Sequence, residues 1–136
     1  MIKGIDHIAI AVENIDAAIE LFEKTLGLPL RHREAVESQG VETATFEIGG
    51  TAIELVQGTT EGSPIRKFIE TKGPGIHHIA FEVDDVEGAI SALKKKEIRL
   101  IDETPKPGKE NSRIAFIHPK STQKILFEMV ERAKKM

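Results

Sequence analysis

The chain repeats itself. Residues 5–20 read IDHIAIAVENIDAAIE and residues 76–91 read IHHIAFEVDDVEGAIS. At a constant offset of 71, seven of the sixteen pairs are identical: Ile5/Ile76, His7/His78, Ile8/Ile79, Ala9/Ala80, Val12/Val83, Ala18/Ala89 and Ile19/Ile90. A repeat constrains the fold before any other feature does, because both copies must build the same supersecondary unit.

Each copy has the same local grammar. An apolar run, IDHIAIAV or IHHIAFEV, reads as a strand. A helix cap follows at Asn14 or Asp85, with an acidic residue two places later at Asp16 or Glu87, near the positive end of the helix. The helix that follows is amphipathic, with Ala18, Ile19, Phe22 and Leu26 on one face of the first copy and Ala89, Ile90 and Leu93 in the second. Gly27 is the expected stop of the first helix.

Three short strands are expected after each helix. In the first half they cover 29–36, 41–48 and 51–57, with Gly49-Gly50 as a hairpin turn. In the second half they cover 98–103, 113–118 and 124–131. Residues 1–57 and 76–136 are thus two βαβββ modules within one domain. The connecting segment 58–75 carries a short helix at 63–72, capped by Ser63 with proline at its first position. The stretch 103–112, with Pro105, Pro107 and Gly108, reads as a loop. The expected fold is α+β: two tandem βαβββ modules forming a curved eight-stranded mixed sheet, with the helices on the outside.

Composition narrows the chemistry. The chain has 136 residues, a formal charge of −3 and no cysteine. A basic excess suited to nucleic acid or anionic membrane is absent. Thiolate metal sites, disulfides and cysteine nucleophiles are excluded, so any metal centre must use imidazole, carboxylate or amide ligands. The N-terminal apolar run is too short to span a membrane and lacks the flanks of a signal peptide. A cytoplasmic location is the expectation.

Four residues repeat across the modules in a way that points to chemistry. His7 and His78 hold the third place of the first strand of each copy; Glu54 in AIELV and Glu128 in LFEMV lie in the last. Each interrupts a strand that would otherwise bury both faces. Burying such a group costs several kcal/mol, roughly, unless it is paired or coordinated. One histidine or one glutamate alone is more often a structural or surface residue. The same pair placed twice at matching positions favours a shared divalent ion, of the kind of Co²⁺, Ni²⁺, Zn²⁺ or Mn²⁺. His32, His77 and His118 carry no such symmetry. They read as a solvated residue, a residue facing away from its neighbour, and a residue that shapes a loop or touches substrate without being a metal ligand.

The DHIAIAV, GLPLRHRE, QGVETATFEIGGTAIELV, SPIRKFI, GIHHIAFEVDDVEGAI and NSRIAFIHPKSTQKILFEMVE stretches resemble the vicinal oxygen chelate superfamily, and within it the methylmalonyl-CoA epimerase family. That resemblance implies His7, Glu54, His78 and Glu128 as ligands of a metal, with cobalt first. It implies inversion of C2 of a methylmalonyl-CoA thioester, with Glu128 as one of two acid/base groups. Some relatives place a second glutamate where this chain has Thr43. A bound water, Glu42 through a bulge, or another residue are the candidates for its task. Lys120 and Ser121 are expected CoA contacts, and a homodimer is expected. A glyoxalase I-type lyase and a non-catalytic binding protein of the same fold are the alternatives.

Overall fold

Alternating side chains hold the first repeat extended, and in the computed structural model, which describes residues 1–134, strand β1 spans Ile2–Ala11. The chain then turns into helix α1, Ile15–Glu20, where Asn14 accepts the N–H of Ala17 at 3.0 Å. Seventy-one residues on, Asp85 accepts the N–H of Gly88 at 3.1 Å and opens helix α3, Val86–Lys95. Both expected caps therefore form. Each helix start has a second acceptor from far along the chain. The N–H of Ile15 donates to Gln57 Oε1 at 2.8 Å, and that of Val86 donates to Glu131 Oε1 at 2.9 Å. These bonds satisfy N–H groups that a helix cannot pair internally.

The first helix does not continue regularly. From Leu21 to Thr25 it widens into a π-turn, with Leu26 N–H donating to Leu21 O at 3.0 Å. The wider turn shifts the register of the side chains. Leu26, expected on the buried face, is therefore 57% exposed. Leu28 packs in the cluster instead.

Strands β2 (Leu30–Val36), β3 (Val41–Ile48) and β4 (Thr51–Gly58) follow at the expected places. The β3–β4 hairpin turns on Gly49 and Gly50, whose φ angles of 53° and 87° suit glycine. Helix α2 is Pro64–Lys72, with the Ser63 hydroxyl accepting the N–H of Ile65. Strand β5 is Gly75–Val83, β7 is Arg113–Ile117 and β8 is Phe127–Glu131.

The remaining strand departs from expectation. Residues 98–103 make only a bridge from Leu100 to Ile117, and β6 is the pair Lys106–Pro107, inside the expected loop. The reason is a side chain. Asp102 Oδ2 accepts the N–H of Phe116 at 2.8 Å, taking the donor that a neighbouring backbone would use. Proline at 107 has no N–H to extend a ladder.

Hydrogen bonding orders the strands β2-β3-β4-β1-β5-β8-β7-β6, a mixed eight-stranded sheet of the expected α+β class. Strand β1 runs parallel to β4 and β5 parallel to β8; the β2–β3, β3–β4, β6–β7 and β7–β8 pairs are antiparallel. The chain forms two compact units, His7–His77 and Met1–Asp6 with His78 onward. In the first, Ile15 and Ile19 of α1 pack on Ala44, Phe46 and Leu55. Its other sheet face carries Ala9, Ala11, Val41 and Val56 with Ile65 of α2. In the second unit, Val86, Ala89 and Ile90 of α3 pack on Ala115, Ile117 and Met129. Among the described residues no helix is long and apolar enough to cross a membrane.

Candidate metal centre

Strand registers decide which side chains meet. In the unit 7–77, Ala9 lies opposite Glu54, Glu54 opposite Thr45, and Val56 opposite Thr43. Opposed residues point the same way and alternate residues share a face. His7, Glu54, Thr43 and Thr45 therefore lie on one face, and Leu55, packed under α1, lies on the other. Apolar neighbours bury that functional face: Glu54 is 8% exposed and Thr43 is 4%.

The second unit repeats the plan. Glu128 lies opposite Ala80 on one side and Phe116 on the other, which places it on the face of His78. His78 Nε2 is 3.3 Å from Glu128 Oε1. The His78 ring meets the Phe116 ring edge-on, centroids 5.3 Å apart, which fixes the imidazole plane. His78 is 8% exposed and Glu128 is 5%.

Buried polar side chains of the described residues are Asp6, Thr43, Glu54, Ser63, His78, Ser112 and Glu128. Three have structural work. Asp6 accepts a 2.5 Å bond from Arg132 Nε, and that bond, ahead of the charge attraction, raises the guanidinium above its ordinary pKa. Ser63 caps α2. Ser112 closes the turn after Gly108 through its backbone. The other four all lie on the functional face of their strands. One imidazole nitrogen or carboxylate oxygen from each of His7, Glu54 and His78 lies within 4.8 Å of the others. Such a group could hold a divalent ion, and its N and O donors suit one. Glu128 adjoins this cluster through His78.

The remaining sequence candidates have clear places. Glu42 faces away from Glu54: its carboxylate takes a 2.5 Å bond from Arg33 Nε, and Arg33 also reaches Asp16 of α1. The β3–β4 register is continuous through Glu42 and Thr43, with no bulge to turn Glu42 over. Those two carboxylates, Glu42 first, raise the Arg33 pKa above its ordinary value. Lys120 is exposed in the short turn Pro119–Ser121. Ser121 Oγ accepts the N–H of Arg99 at 2.9 Å. His118 shapes that turn by accepting the N–H of Lys120 on Nδ1. His77 meets the edge of Phe68, and His32 is a surface residue 3.6 Å from Glu34. Sequence reasoning missed Gln57 and Glu131, each three residues past its module's glutamate, which tie the last strand to the helix start. Their spacing, 74 like that of Glu54 and Glu128, was the available signal.

The profile of the Glyoxalase/Bleomycin resistance protein/Dioxygenase superfamily matches residues 6–116. The mitochondrial methylmalonyl-CoA epimerase of Dictyostelium discoideum is 35% identical over 96% of this chain and 80% of its own. The crystal structure of methylmalonyl-CoA epimerase from Mycobacterium tuberculosis superposes with a TM-score of 0.92 at 38% identity, covering 98% of this chain and 90% of that one. A serine-to-threonine variant of the Streptomyces coelicolor enzyme, in complex with 2-nitronate-propionyl-CoA, gives a TM-score of 0.91 at 35% identity, over 98% and 96% of the two chains.

Proposed function

We propose, from the premise that the chain belongs to the glyoxalase/bleomycin resistance protein/dioxygenase superfamily and within it to the methylmalonyl-CoA epimerases, that it interconverts the 2R and 2S forms of methylmalonyl-CoA. The observation that carries this reading furthest is the gathering of His7, Glu54 and His78 with Glu128 beside His78. Those four side chains would hold one divalent ion, cobalt in the first instance, with nickel, zinc or manganese as substitutes. When bound, such an ion supplies Lewis-acid stabilisation of negative charge on the thioester oxygen.

The protein's own residues then manage the proton. C2–H lies between a thioester and a carboxylate, so its loss leaves an enolate. Glu128 is the group that takes or returns the proton on one face. Its near-complete burial keeps bulk water from competing for that proton. Thr43 stands where some relatives carry a second carboxylate, and a hydroxyl is no base near neutral pH. Glu42, held by Arg33 on the other side of β3, does not replace it. The exposed ammonium of Lys120, with the Ser121 hydroxyl beside it, suits the CoA phosphates. The reading carries with it a homodimer in the cytoplasm.

The test is incorporation of solvent deuterium at C2 of methylmalonyl-CoA, with and without chelator. Metal-dependent exchange supports the reading. A folded, metal-loaded sample that shows none, or that instead turns over the glutathione hemithioacetal of methylglyoxal, would refute it.

A further inference from the structure

Thr43 Oγ1 is a buried hydroxyl with no hydrogen-bond partner among the described residues. Buried polar groups are nearly always paired, because leaving one unpaired costs stability. Valine would fill nearly the same space without that cost. A hydroxyl kept where it lowers stability points to a partner that arrives from outside.

Its position narrows what that partner is. In the β3–β4 register Thr43 sits opposite Val56 and Thr45 opposite Glu54, so the hydroxyl lies on the face of Glu54, one alternation further along the strand. The surroundings on that face are apolar, with Val41 and Val56 buried together. A hydroxyl is both donor and acceptor. Beside a buried glutamate, an arriving anion gains most from donors, and a bond to a charged oxygen is the stronger kind. The substrate of the epimerase reading has such a group at its acyl end.

We propose that Thr43 Oγ donates a hydrogen bond to the free carboxylate of the acyl group, and so selects malonyl-type thioesters over simple acyl thioesters. Thr43 is then a specificity residue that moves no proton. The inference rests on the epimerase reading, and its test separates the two.

Metal-loaded wild type, Thr43→Val and Thr43→Ser are titrated calorimetrically with methylmalonyl-CoA and with propionyl-CoA, which lacks the carboxylate. Thr43→Val should weaken methylmalonyl-CoA by about tenfold or more and propionyl-CoA by less than about twofold. Thr43→Ser, which keeps the donor, should restore most of the loss. The thermal midpoint of Thr43→Val should equal or exceed that of wild type, since no internal bond is lost. Equal losses for both thioesters, no loss for either, or a lowered midpoint with unchanged affinity would each overturn the proposal and leave the epimerase reading intact. Failure of wild type to bind either thioester would overturn both.

Discussion

Replacing Glu128 by glutamine should reverse its effect on stability according to whether metal is bound. The residue is 5% exposed, and so is fixed in an interior where an ionised carboxylate carries a large desolvation cost. His78 Nε2 at 3.3 Å offsets part of that cost. Glutamine keeps the shape and removes the charge. A neutral buried amide costs roughly 1–3 kcal/mol against several kcal/mol for the ion, so in chelator the variant should be more stable by about 1–3 kcal/mol. At roughly 3 °C per kcal/mol for a chain of this size, that is a rise of about 3–9 °C. With metal the order inverts. Ligand at a hundredfold above its Kd stabilises the native state by about 2.7 kcal/mol, or about 8 °C in wild type. The variant, with one anionic donor fewer, should gain less. Differential scanning calorimetry of both proteins, in chelator and in a cobalt series, reads all four values. A variant less stable than wild type in chelator, with an undiminished metal gain, would refute the reasoning and make Glu128 a structural residue.

Other substitutions test the frame that holds the site. Leu55→Ala opens a cavity under α1 beside Glu54 and should cost about 2–5 kcal/mol in chemical denaturation. Asp85→Ala removes the cap of α3 and should cost about 1 kcal/mol. Gly40→Ala should destabilise by more than about 1 kcal/mol, because φ is +64° and the new Cβ would meet the Thr60 hydroxyl. Arg33→Ala, whose ion pairs are exposed and screened by solvent, should leave the thermal midpoint and C2 exchange essentially unchanged.

The repeat made most of this legible. Identical residues at an offset of 71 located both first strands and both caps, and Asn14 and Asp85 do cap their helices. The repeat singled out His7 and Glu54, and the β1–β4 register, with His7 opposite Ala52 and Ala9 opposite Glu54, puts them on one face. What was hidden depended on contacts between distant residues. Gln57 and Glu131 cap helices that start 42 and 45 residues earlier, which no local pattern encodes. The 98–103 segment alternates like a strand, yet Asp102 takes the Phe116 N–H with its side chain and ends the pairing. Leu26 obeys helical spacing only if the helix stays regular, and the π-turn at Leu21–Thr25 breaks that condition. The unpaired state of Thr43 Oγ1 required packing to be known on every side.

The central claim is that one ion, held by a His–Glu pair from each copy of the repeat, enables proton exchange at C2. It is tested most directly by titrating metal-free protein with cobalt in D₂O while the deuterium content at C2 of methylmalonyl-CoA is followed by mass spectrometry. The exchange rate should rise linearly and saturate at one ion per chain, and Glu54→Gln should weaken the dependence. Exchange that is indifferent to metal, or absent at saturation, would contradict the claim.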